Sequence, residues 1–299
     1  MKKIVTVSGG VDSMTLLDMC VKKYGRDEIV VAHFDHATRS SSETDRVFVQ
    51  NFCQTQNIKF VYERVKRDMS EHLSEEKARE LRYNFFTQVR EKYGCDEIMV
   101  AQHLDDLVES VAINLLRGTG WRGLSVMNSE GVERPFLTGE FGRVYDRREI
   151  LRYAGKNGVC YRQDPTNNED TYLRNRVRQL TFDLPREVKE RFLTLRNEQC
   201  EIGVEVEKLA EVVIGELVGN EMWRGIPGVL AVPRGVFEEM SDEVATEVLD
   251  RLVRERLGLK CTRLQMRDFL KAVREYAPGK VFNLPKDKLV KMGRGYFIV

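Results

Sequence analysis

Ser8-Gly9-Gly10-Val11-Asp12-Ser13 stands between the short apolar run Ile4-Val5-Thr6-Val7 and a segment in which Met14, Leu16, Leu17 and Val21 recur at helical spacing. That order reads as strand, glycine-rich turn and helix. Two glycines let the backbone turn sharply and approach a ligand closely, because no Cβ stands in the way. The loop N–H groups, the unpaired donors of the helix's first turn and the positive end of its dipole then face one place. Such a place binds phosphate. Ser8 and Ser13 add hydroxyl groups, and Asp12 adds a carboxylate suited to orient an ammonium group or a Mg²⁺ ion. An ordinary turn with Ser and Asp capping a helix shares the pattern, but the strand-to-helix context favours phosphate. No Gly-Lys-Ser/Thr follows the loop, and it is not a G-x-G-x-x-G dinucleotide fingerprint.

Outward from the loop, strands and helices alternate. Ile29–Phe34 is a continuous apolar run of buried-strand character. Residues 42–56 read as a helix, 59–62 as a strand, 74–93 as a long helix capped by Ser74, 97–101 as a strand and 106–116 as a helix. Alternation of this kind means a parallel α/β sheet flanked by helices, and ligands in such sheets bind beyond the carboxyl ends of the strands. Ser8, His33, Asp35 and His103 all fall at that edge. The alternation stops near Asp183, where Pro185 and a charged stretch to Arg196 read as a helical connector. Residues 241–257 fit an amphipathic helix capped by Ser241 and stopped by Gly258, and 280–299 read as short strands. The expected organisation is therefore a catalytic α/β domain over 1–182 and a second, smaller, mainly helical domain over 183–299.

The composition narrows the partners. With 299 residues, 48 Lys and Arg against 47 Asp and Glu leave almost no net charge. Its distribution is uneven: residues 200–259 carry 13 acidic and 6 basic side chains, and residues 260–299 carry 3 acidic and 10 basic. A basic terminal segment suits an anionic partner such as nucleic acid, although a solvated helix face has the same composition. The six cysteines are scattered without a C-x-x-C pair, which argues against a zinc ribbon, an iron–sulfur site or a disulfide framework. No apolar run reaches membrane-span length and Met1-Lys2-Lys3 leads straight into a strand, so the expectation is a cytoplasmic protein.

Four further blocks bear chemistry. In Gln102-His103-Leu104-Asp105-Asp106-Leu107-Val108-Glu109-Ser110, Asp106 and Glu109 are three apart and share a helix face, where they can grip one cation or ammonium group. In Ala78-Arg79-Glu80-Leu81-Arg82-Tyr83, two arginines offer planar forks suited to phosphate, or simply a solvated face. Arg117-Gly118-Thr119-Gly120-Trp121-Arg122-Gly123-Leu124 reads as a loop, and Arg134–Leu137 as an extended segment. Asp164-Pro165-Thr166-Asn167 reads as a turn, after which Arg174, Arg176 and Arg178 spread over a helix in a way that suits phosphates or solvent.

Ser8–Ser13 resembles the pyrophosphate loop of the N-type ATP pyrophosphatases. With His33–Arg39 and the blocks above in the same order, residues 1–180 are similar to the tRNA(Ile)-lysidine synthetase family. Residues 200–299 resemble more loosely that family's helical substrate-binding domain. Asp35 stands where Asn or His is common in the family, and Ser110 where Thr is common. Many members carry a further C-terminal domain, and by this reading the chain ends before it.

The resemblance implies an ATP-dependent, Mg²⁺-assisted ligation of free lysine to C2 of the wobble cytidine in an isoleucine tRNA with a CAU anticodon. The product, lysidine, changes codon reading from AUG to AUA. It implies ATP binding by Ser8, Gly9, Gly10, Val11, Asp12 and Ser13, lysine binding by Asp12, Asp106 and Glu109, and catalytic roles for these three with Arg82 and His103. It also implies tRNA contacts from Arg117, Arg122, Arg174, Arg176 and Arg178, and allows a homodimer. A tRNA thiolase of the same superfamily and a non-catalytic ATP-dependent tRNA-binding module are the alternatives.

Overall fold

The computed structural model describes residues 2–35, 42–65, 75–162, 172–219 and 231–298. Ser74, His36–Arg39 and Asp164–Asn167, named above, lie outside these residues. The described chain divides into two compact units, residues 1–116 with 126–195, and residues 117–125 with 196–299.

The first unit is built on a parallel five-stranded sheet of order β3-β2-β1-β4-β5. Its strands are β1 (Lys3–Thr6), β2 (Ile29–Asp35), β3 (Lys59–Arg64), β4 (Glu97–Met99) and β5 (Val132–Glu133). Helices α1 (Val11–Tyr24), α2 (Ser42–Thr55), α3 (Glu75–Tyr93) and α4 (Leu104–Leu116) intervene. The central strands β1 and β2 are buried along almost their whole length because both sheet faces are covered there. Val5, Val31 and Met99 pack with Met14, Leu17, Val49 and Cys53 of α1 and α2. Their neighbours Ile4, Val30 and Ile98 face Phe85, Phe86 and Val89 of α3. Each fully buried aliphatic side chain contributes roughly 1.5–3 kcal/mol relative to exposure.

After β5, Arg134–Leu137 departs from the expected extended segment. Pro135 opens a one-turn helix, α6 (Pro135–Thr138), because its fixed φ and missing N–H suit the first helical position. Helix α7 (Arg147–Asn157) starts in a capping box, with Asp146 accepting from the Glu149 N–H and Glu149 accepting from the Asp146 N–H. Then come α8 (Tyr172–Phe182) and α9 (Arg186–Gly219).

The first unit runs past residue 182 because the start of α9 is tied to it by charge. Lys189, buried, donates to Asp105 Oδ1 at 2.6 Å and to the Phe182 carbonyl at 3.0 Å. Arg186 pairs with Glu149 and donates to the Val144 carbonyl at 3.0 Å.

The second unit combines part of α9 with α10 (Asp242–Leu257), α11 (Arg263–Glu275) and an antiparallel sheet of order β6-β9-β8-β7. The strands are β6 (Ala231–Pro233), β7 (Val281–Leu284), β8 (Lys288–Met292) and β9 (Tyr296–Ile298). Ser241 caps α10 by accepting from the Val244 N–H, and Gly258 ends it in the left-handed conformation. Phe237, Val248, Leu249, Phe269 and Phe297 fill the core. Residues 117–125 belong to this unit, where the one-turn helix α5 (Trp121–Leu124) lays Trp121 over Gly203 of α9. Arg122 pairs there with buried Glu247 and Asp250.

The Lys189–Asp105 pair sets a stability prediction. Burial works to raise the Asp105 carboxyl, but hydrogen bonds from Lys189 and the Arg147 N–H hold it below the ordinary carboxylate value. Lys189→Met leaves a half-stranded buried anion and should cost about 3 kcal/mol, read from urea unfolding at neutral pH. A lowered carboxylate stabilises the fold above its unfolded value and loses that contribution as pH falls through the folded one. The difference between variant and wild type should therefore shrink below about pH 4.

Candidate active site at the β1 and β4 strand ends

Between β1 and β4 the strand order reverses direction, so the loops leaving these two strands diverge and open a crevice at their carboxyl ends. The loop after β1 is the Ser8–Ser13 turn. Its tip residue, Gly9, has φ +98°, a conformation side chains rarely adopt. The Ser13 hydroxyl folds back into the loop, accepting from the Ser8 N–H at 3.2 Å and the Gly9 N–H at 3.3 Å and donating to the Gly10 carbonyl at 3.0 Å. Ser13 is thus the internal brace of the turn, while Ser8 is exposed at its mouth. Gly10 precedes α1 without any side-chain cap, which leaves the helix's first-turn donors to a ligand. The Arg162 N–H donates to the Gly9 carbonyl at 2.9 Å and supports the loop from the far side.

A cavity of about 320 Å³ lies against this loop, lined by Ser8, Gly10, Asp12, Ser13, Arg79 and Arg82, with Ala32 and Phe34 of β2 on its wall. Arg82 is half-buried and Arg79 is exposed, one helical turn apart on α3. The glycine-rich turn and two guanidinium groups therefore face one volume. His33 and Asp35, expected at this edge, alternate with Ala32 and Phe34 and so face the opposite side of the sheet. His33 Nδ1 lies 2.8 Å from the Val7 carbonyl, and burial pushes its imidazole below the ordinary value. Asp35 accepts from the Ser42 hydroxyl at 3.1 Å.

The turn after β4 brings in the carboxylates. Asp106 Oδ2 accepts from the His103 N–H at 3.0 Å and lies 3.4 Å from His103 Nε2. Asp12 Oδ1 is 3.8 Å from the same nitrogen. His103 is buried, with Nδ1 3.6 Å from Asp105 Oδ2. Among the described residues, neither Asp12 Oδ1 nor His103 Nδ1 has a hydrogen-bond partner, although both atoms are buried. Unsatisfied buried atoms of this kind are costly and mark a place for a ligand's polar group. Asp12 Oδ2 is held by Arg147 at the start of α7, whose backbone N–H also donates to Asp105 Oδ2 at 2.7 Å.

Glu109, expected beside Asp106, is buried and joined to Arg178 of α8 by paired contacts of 2.8 and 3.3 Å. Arg178, expected to face a polyanion, is thus engaged within the first unit. Arg174 is half-buried and Arg176 exposed on the same helix, and Arg117 is exposed. Arg122 lies in the second unit's ion-pair network. The sequence reading missed Arg147 and Lys189. The capping box around Asp146 and Glu149 signals a helix start, but nothing local signals that Arg147 reaches a carboxylate 135 positions away.

Residues 1–184 match the PP-loop domain family. A tRNA(Ile)-lysidine synthase from Thermotoga maritima is 34% identical over 305 residues, covering 99% of this chain and 67% of that protein. The enzymes of the same name from Enterococcus faecalis and Bacillus subtilis are 34% and 36% identical, over 64% and 58% of this chain and 42% and 38% of theirs. The chain thus spans from about two fifths to two thirds of the length of these relatives. Among solved structures, a U34-tRNA thiolase from Methanococcus maripaludis with its [4Fe-4S] cluster aligns with a TM-score of 0.54 at 15% identity, over 68% of this chain and 72% of that one. That likeness is one of fold. The parallel sheet with its reversal of strand order, the Ser8–Ser13 turn at the switch point, and a relative 34% identical over 99% of this chain lead to one conclusion: the chain belongs to the PP-loop family and, within it, to the tRNA(Ile)-lysidine synthases.

Proposed function

We propose that this chain joins free L-lysine to C2 of the wobble cytidine in an isoleucine tRNA with a CAU anticodon, using ATP and forming lysidine. The observation that carries the reading is the meeting, at one crevice, of an open anion-binding turn and a carboxylate without a cation. Among the described residues, Asp106 meets no Lys or Arg side chain.

In the first step the C2 oxygen of cytosine bonds to the α-phosphorus of ATP, and the bond to the bridging oxygen breaks to release pyrophosphate. The Ser8–Ser13 turn holds the pyrophosphate, and Arg82 offsets charge that develops on the phosphates. In the second step the lysine ε-nitrogen bonds to C2, the C2–O bond breaks and AMP leaves. The proton lost by the amine passes to Asp106, which lies with Asp12 Oδ1 around His103 Nε2. The target base must leave the anticodon stack to reach this crevice.

Among the described residues no group of three or more His, Cys, Asp and Glu forms a metal cage. In this reading Mg²⁺ travels with the triphosphate, as its preference for phosphate oxygens and water suggests. The exposed Arg117 and Arg176, with Arg174, supply the tRNA contacts. Arg122 and Arg178 serve those contacts indirectly, by fixing the segments that carry them. A cytoplasmic location fits a tRNA substrate, and no helix among the described residues is long and apolar enough to cross a membrane. A homodimer is compatible with this reading. Sulfur transfer is less favoured: Cys20, Cys53 and Cys95 are buried, burial pushes the Cys53 thiol up to about 12, and the exposed Cys160 and half-buried Cys200 and Cys261 belong to no group of three or more His, Cys, Asp and Glu among the described residues.

The deciding assay supplies labelled lysine, ATP and Mg²⁺ with an isoleucine tRNA transcript bearing CAU, against an elongator methionine tRNA. Incorporation into the isoleucine tRNA alone is expected, and ATP cleavage without incorporation would overturn the lysine assignment. Asp106→Asn preserves an acceptor for the His103 N–H, so adenylation should persist while lysine transfer slows at least about 100-fold. Arg82→Ala should depress pyrophosphate release itself by roughly the same factor.

A further inference from the structure

The carboxylates around His103 are balanced almost one for one by internal cations. Arg147 of α7 takes Asp12 Oδ2 and Lys189 of α9 takes Asp105 Oδ1, while Glu109, further along α4, is paired with Arg178 of α8. Among the described residues Asp106 has no such partner, so three carboxylates at His103 meet two cations. The cluster is short of one positive charge. The shortage falls where two acceptors already converge, since Asp106 Oδ2 and Asp12 Oδ1 lie 3.4 and 3.8 Å from His103 Nε2. Arg79 and Arg82 face the same cavity from α3, where the phosphates of ATP would answer them.

We infer that Arg147 is a positioning residue that sets this deficit at one charge, so that the ε-amine of lysine is bound yet released from its proton. The inference rests on the lysine-ligating function proposed above. By holding Oδ2, Arg147 leaves Oδ1 of Asp12 on the side of His103 Nε2, which Asp106 also approaches, and keeps a fixed cation on the other oxygen. An ammonium bound between two carboxylates with no such cation is held firmly and stays protonated, and a protonated amine cannot attack C2. A neighbouring guanidinium lowers the amine's proton affinity, as cationic neighbours do for amine nucleophiles. Because the attack forms the N–C2 bond only after that proton has left, tight binding and fast transfer oppose each other here. Arg147 decides the balance in favour of transfer.

The test is Arg147→Met, which removes the charge while keeping length and the backbone N–H that supports Asp105. Adenylation, read as lysine-independent pyrophosphate release with tRNA, should match wild type. In lysine transfer, KM for lysine and kcat at neutral pH should each fall about tenfold, the effect of one unit of proton affinity, and kcat should recover as pH is raised by about one unit. Arg147→Lys should restore both constants. A merely structural role moves KM the other way. A raised KM, unchanged constants, or an equal loss of adenylation would each overturn the inference. Absence of lysine incorporation by the wild-type chain would overturn the proposed function and this inference with it, and is seen before any variant is made.

Discussion

Parallel strands joined by right-handed crossovers must cover both faces of their sheet, and the reversal of strand order between β1 and β4 is where that covering parts. Everything chemical in the first unit depends on this one topological constraint. The turn after β1 brings uncapped helix donors to the gap, and the turn after β4 brings His103, Asp105 and Asp106. Phosphate chemistry and carboxylate chemistry thus share a crevice although their residues are about ninety positions apart.

The electrostatics of that crevice divide along the same line. On the α3 wall of the cavity the fixed charges are cationic, from Arg79 and Arg82, and suit an anion. On the side of His103 the carboxylates outnumber their cationic partners among the described residues, which suits a cation. The buried Lys189–Asp105 pair fixes one of these carboxylates as scaffold.

Much of this was legible in the sequence. The Ser8–Ser13 turn declared strand, loop and helix through its own residues, and continuous apolar strands declared a sheet covered on both faces. The Ser241 and Gly258 helix ends were readable because capping is local chemistry. Side-chain direction was less legible: His33 and Asp35 sit on the predicted strand at the predicted edge, yet the two-residue period of a strand turns them away from the cavity. Pro135 was misread because a residue suited to an extended segment equally suits a helix's first position. The partners of Asp12, Glu109 and Arg122 were beyond reach, since each is an ion pair made across long stretches of chain.

The bracing of the Gly9 turn has a thermodynamic consequence. Its N–H is held by Ser13 and its carbonyl by the Arg162 N–H, so the most permissive residue of the loop is already confined on both sides. Fixing a backbone residue costs roughly 1–2 kcal/mol in entropy, and glycine has the most freedom to lose. Here that loss is incurred during folding rather than at the moment a nucleotide arrives. The loop meets its ligand as a rigid mould, and the affinity of its donors is not diminished by the disorder they would otherwise have to surrender.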